Sequence, residues 1–243
     1  MTTPARGHPL TTRPRTVQAL ALAGIAAVSG AALLIGALHL APQTANISPL
    51  RRTISEYALT DAGWAFTLGA LALAVGSLAV LAALVLSRAA AGRSAGVLLA
   101  AVWSAALVVI VLFPKHNWAI GPSTGGHIHR AASVVAFLCL PLAVILLTRG
   151  TGRSRPDGPP AARAAFWLAA ASLVWFGPLV GALLIGPIVG TPWYQVIPLG
   201  LVERGLVTTE VLAVIALGVW ALSASRRTRS RRPANPARTV PAA

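Results

Sequence analysis

The chain has 243 residues, 56% of them hydrophobic and only 10% charged, with a mean hydropathy of +0.74. A soluble domain carries roughly 25% charged residues, so this composition excludes an ordinary soluble globular protein. The net charge of +15 does not indicate nucleic acid, because the arginines lie in tails and short loops between apolar runs, as the positive-inside pattern requires.

Six apolar runs reach the length of about 18 residues that crosses a bilayer. They predict an all-α polytopic membrane protein, a six-transmembrane-helix bundle with spans near 17–40, 63–86, 96–113, 131–147, 164–185 and 201–222. The single domain, 17–222, lies between polar tails, 1–16 and 223–243, whose Pro, Thr and Arg content reads as disordered. The first run exceeds the 7–15 or so apolar residues of a signal-peptide core and reads as a retained helix, with His39 at its outer end.

The connector 41–62 follows, with Arg51, Arg52, Glu56 and Asp61. Within it Thr53 or Ser55 is placed to cap a short helix that carries Glu56 and Tyr57. Trp64 opens the second helix, as the interfacial aromatic belt favours. The loop 87–95 carries Arg88 and Arg93. After the third helix, the stretch 113–133 holds Lys115, the only lysine, and three of the five histidines, His116, His127 and His129. The fourth helix contains Cys139, the only cysteine, which excludes an internal disulfide and reads as a small buried residue. The loop 148–163 is arginine-rich. In the fifth helix, Gly177–Gly181 and Gly186–Gly190 have the spacing of helix contacts, and the prolines predict a kink or early end near Pro187. Trp193 and Tyr194 read as interfacial anchors. The sixth helix carries Glu203, Arg204 and Glu210, and the two glutamates, seven residues apart, share one face. A basic tail follows, suited to anionic headgroups.

Fifteen basic residues fall in the segments on one side and four in those on the other. This predicts both termini in the cytoplasm and a multi-pass protein of the bacterial plasma membrane. The outer face then gathers acids, histidines and hydroxyls. Ser55, Glu56, Tyr57, His116, His127, His129, Arg130, Glu203 and Arg204 are its candidate pocket, with a lipid or cell-envelope molecule as the ligand. A structural reading pairs Glu203 or Glu210 with Arg204, Arg130 or Arg52.

Two other functions use the same residues. As a membrane-embedded hydrolase or transferase, the chain offers Ser55, Glu56, His127, His129 and Glu210 as catalytic candidates. Imidazole with carboxylate suits zinc, which makes His116, His127 and His129 metal candidates, although no H-E-x-x-H motif is present. As a secondary transporter, the chain offers Glu210 as coupling carboxylate and the kinked fifth helix as the moving part. Neither enzymatic activity nor oligomeric state follows from these residues.

The segment N-I-S-P-L-R-R-T-I-S-E-Y-A-L from Asn46 to Leu59, then Gly63-Trp64, Phe113-Pro114 and Gly125-Gly126-His127-Ile128-His129, resembles the bacterial membrane family termed domain of unknown function 998 (DUF998). The resemblance spans about 17–222 and implies a six-helix membrane fold, without an activity. A fainter similarity, through the I-S-E segment after the first helix, is to the damage-regulated autophagy modulator (DRAM) and Sfk-type six-helix proteins, and implies a lipid-handling role. Ceramidase-type membrane hydrolases have seven helices and an H-x-x-x-H pair, which this chain lacks.

Overall fold

The computed structural model describes residues 12–117, 119–149 and 158–230. In chain order these form α1 (Thr12–Ala37), two 3-10 turns (Pro42–Thr44 and Ile54–Leu59), α2 (Gly63–Leu86), α3 (Ala95–Leu112), α4 (Thr124–Thr148), α5 (Pro160–Val174), α6 (Phe176–Val189), the one-turn α7 (Trp193–Val196) and α8 (Leu199–Ser230). There is no strand among the described residues. Six segments are long and apolar enough to cross a membrane: α1 to α4, α5 with α6 as Pro160–Val189, and α8. The protein is therefore an all-helical integral membrane protein.

α8 is the central element, in contact with α1, α2, α4 and α5. Its buried stripe is Val202, Leu206, Glu210, Ala213, Leu217 and Trp220, the three-and-four spacing of one helical face. Lipid tails are as apolar as leucine, so close packing rather than water exclusion holds such helices together. Accordingly Ala21, Ala83, Ala143, Ala162, Ala165 and Ala221 are fully buried at the crossings, while Leu33, Leu112, Leu184 and Ile188 point outward.

α2 occupies the expected 63–86. α4 begins at Thr124 rather than 131, because Ser123 caps it: the Ser123 hydroxyl accepts the Gly126 N–H at 3.1 Å. His127 and His129 are thus helical. The fifth span ends at Val189, two residues past Pro187, and in addition breaks at Trp175. Pro178 has no N–H, and its ring crowds the carbonyl four residues back, at Val174. The helix then runs through Pro187 to Val189. Gly177 and Gly181 face open space, so their spacing makes no helix contact among the described residues. α1 starts at Thr12 and α8 continues to Ser230, so parts of the segments read as tails are helical. Residues 1–11 and 231–243, together with Arg153, Arg155 and Asp157, lie outside the described residues.

Candidate functional site

The α1–α2 connector folds back over one end of the bundle. Thr44 is buried, and its hydroxyl donates to the carbonyls of Ala41, at 2.9 Å, and Leu38. Further on, the Ile54 N–H donates to the Glu203 carboxylate at 2.6 Å. The expected caps, Thr53 and Ser55, do not cap this turn. A glutamate from α8 does so instead. Ile54 and Tyr57 are buried beneath it.

Glu56 joins the connector to the α3–α4 loop. Its carboxylate meets Arg52 Nε at 2.8 Å and Lys115 Nζ at 3.1 Å. Lys115 also donates to Thr53 Oγ1 at 2.7 Å, and Thr53 Oγ1 lies 3.2 Å from Ser55 Oγ. Arg204 completes the network from α8. It donates to His39 Nε2 at 2.7 Å, to the Arg52 carbonyl at 2.7 Å, to the Gly200 carbonyl at 3.0 Å and to the Tyr57 hydroxyl at 3.0 Å. Arginine has five donors in a fixed fork, and here the fork joins α1, the connector and α8. Because His39 Nε2 accepts, the ring proton sits on Nδ1, which faces the carbonyls of Ile35 and Gly36 at 3.3 and 3.1 Å. The connector approaches α8 so closely that a Cβ on Gly200 would overlap the carbonyl oxygens of Pro49 and Arg52.

The other histidines hold the α3–α4 loop. His116 is 4% exposed. Its Nδ1 accepts the Ser123 N–H at 2.9 Å, and its ring packs edge-on to His127 at 4.7 Å between centroids. Burial holds the His116 imidazole below its ordinary pKa, reinforced by the charges of His127, Arg130 and Lys115. A Cβ on Gly126 would overlap the His116 ring. His129, also buried, has Nδ1 at 3.1 Å from the Ile110 carbonyl and 2.9 Å from that of Phe113, so it donates to the open end of α3.

The structure thus joins Ser55, Glu56, Tyr57, Glu203 and Arg204 in one network with Thr53, Lys115 and His39. His116 and His127 form a neighbouring pair, one residue along from Lys115. His129 instead ties α4 to α3, and Arg130 is exposed. Glu203 is held by a backbone N–H, and Arg52 pairs with Glu56 rather than with either α8 glutamate. Glu210 lies two turns deeper, is 4% exposed, and its Oε1 has no hydrogen-bond partner among the described residues. No three His, Cys, Asp or Glu side chains among the described residues are arranged to hold a metal ion. The zinc reading on His116, His127 and His129 therefore has no ligand set, because His129 is turned toward α3.

Sequence reasoning missed three contributors. His39 and Lys115 were visible as polar residues at the correct end, but their partners lie 165 and 59 residues away in sequence. The third is a groove of 230 Å³ between the C-terminal end of α1 and the N-terminal end of α2, lined by Leu34, Leu38, Gln43, Asp61 and Trp64 among others.

The family model described as "Protein of unknown function (DUF998)" matches residues 13–220. No curated protein and no solved structure matches the chain. The match takes in five membrane spans, most of the sixth and the whole connector network, so the chain belongs to the DUF998 family.

Proposed function

We propose that the protein lies in the bacterial plasma membrane with both termini cytoplasmic, and that its connector end, facing outward, recognises a lipid or cell-envelope molecule. The orientation is supported by the excess of fifteen basic residues over four in the sequence segments. The recognition reading is carried by one observation: an internally tied polar network and an open groove share one end of the helix bundle. Ligand sites favour concave, largely apolar surfaces with a few placed polar groups, and a rigid rim keeps such a surface formed without its ligand. The test is the lipid content of protein purified in mild detergent, read by mass spectrometry. Enrichment of one lipid class over the bulk membrane supports the reading; retained lipid that mirrors the bulk membrane contradicts it.

A second reading, a transporter with Glu210 as coupling carboxylate, is favoured by the burial of that side chain without a partner. It requires cysteines placed around Glu210 to react with aqueous reagents from both faces of the membrane. The hydrolase or transferase reading has less support. An activated serine needs a base within hydrogen-bond reach, whereas among the described residues Ser55 Oγ meets only Thr53 Oγ1, and His129 is engaged on α3.

A further inference from the structure

We propose that the groove between α1 and α2 binds the protonated primary amine of a phospholipid headgroup, with Asp61 as its counter-ion. This rests on the recognition reading and gives that reading a site and a ligand chemistry. Glu56 is bound by Arg52 and Lys115, and Glu203 by the Ile54 N–H. Asp61 differs from both: it is exposed and has no ion pair or hydrogen bond among the described residues. It lies just before α2, where the helix dipole favours an acid, yet it makes no capping bond there. The carboxylate faces solvent and is open to a ligand.

The groove supplies the rest of the recognition chemistry. Among the described residues no basic side chain lines it, and Asp61 is the one charge there. An ammonium group is therefore attracted, and a headgroup with only negative charge is repelled. Trp64 is 66% exposed at the same lip, and an indole face adds cation–π attraction to an ammonium. Gln43 offers an amide to the phosphate or glycerol oxygens. Leu34, Leu38 and alanines form the remaining wall. At 230 Å³ the groove is below the roughly 300–1,000 Å³ of pockets that enclose drug-sized ligands. It fits a headgroup and the first methylenes, with the acyl chains left in the bilayer. Trp64 fixes its depth at the membrane interface, where headgroups lie.

The experiment is native mass spectrometry of the full chain in detergent with equimolar phosphatidylethanolamine and phosphatidylglycerol. Wild type is expected to retain the amine lipid several-fold over the glycerol lipid. Asp61→Asn is expected to bring the two to parity, and Asp61→Glu to restore the preference. Thermal unfolding of both variants close to that of wild type excludes misfolding as the cause, since Asp61→Asn gives up only its interaction with the α2 dipole. Amine-lipid preference that is absent in wild type, or unchanged in Asp61→Asn, overturns the proposal. If another lipid class is retained and is insensitive to Asp61, the amine site falls while lipid recognition at this end stands. If no class is enriched, both fall.

Discussion

The Glu203 carboxylate accepts the Ile54 N–H at 2.6 Å, joining residues 149 apart in sequence. One side chain of α8 thus caps a turn in the α1–α2 connector and holds it on the bundle end. A buried backbone N–H left without such an acceptor costs about 1–3 kcal/mol.

Glu203→Ala leaves the Ile54 N–H without its acceptor. The expected cost is about 1–3 kcal/mol, with faster hydrogen exchange confined to residues 53–57. Hydrogen-exchange mass spectrometry in detergent reads this directly. Exchange at the wild-type rate would mean that the cap does not hold the connector.

Arg204 tests geometry apart from charge. A lysine keeps the positive charge but is a single point donor group and cannot serve His39, Tyr57 and the Arg52 carbonyl together. Arg204→Lys is expected to lose nearly as much thermal stability as Arg204→Ala. A lysine variant that unfolds with the wild type would show that charge alone suffices.

Gly126 and Gly125 give opposite results when changed to alanine. A Cβ at Gly126 overlaps the His116 ring, whereas at Gly125 its nearest neighbour is the Pro114 carbonyl oxygen at 3.8 Å. Overpacking costs about 1–3 kcal/mol, while alanine in a helix gains about 0.5–1 kcal/mol over glycine. Gly126→Ala should destabilise and Gly125→Ala should not, as thermal unfolding of the two variants would reveal.

His116 predicts an acid-sensitive loop. Its Nδ1 accepts the Ser123 N–H and must carry no proton there. Burial first, then His127, Arg130 and Lys115, lowers its pKa in the folded protein from the ordinary 6.5. The folded state therefore binds this proton less readily than the unfolded state. Its contribution is fully present above pH 6.5 and is lost as the pH falls from there through the lowered folded value. Unfolding measured across this range should show a loss of stability in acid that His116→Asn reduces. An equal slope in wild type and variant would remove His116 as the cause.

The membrane spans were legible because apolar length is a strong, local signal. α2 shows this best, since its run from Gly63 to Leu86 has no charged residue. The start of α4 was hidden because its first turn is polar, Gly125 to Arg130, and only the Ser123 cap marks it. The break in the fifth span belongs to Pro178 rather than Pro187, and both prolines carry the same local signal. Within the site, residue types placed His39, Glu56, Lys115 and Glu203 at one end of the bundle. The pairing among them was not legible, because each contact crosses between segments far apart in the chain. Asp61 and Trp64 stood three residues apart in the sequence as a connector acid and an interfacial anchor; the groove beside them exists only once α1 and α2 are packed.

Lipid recognition at the connector end is tested most directly by photoactivatable phospholipid crosslinking of the full chain in membranes, with adducts mapped by peptide mass spectrometry. The expected result is adducts concentrated on the groove walls, residues 34–38 at the end of α1 and 61–65 at the start of α2. Adducts spread evenly around the outward faces of the helices, with no excess at the groove, would contradict it.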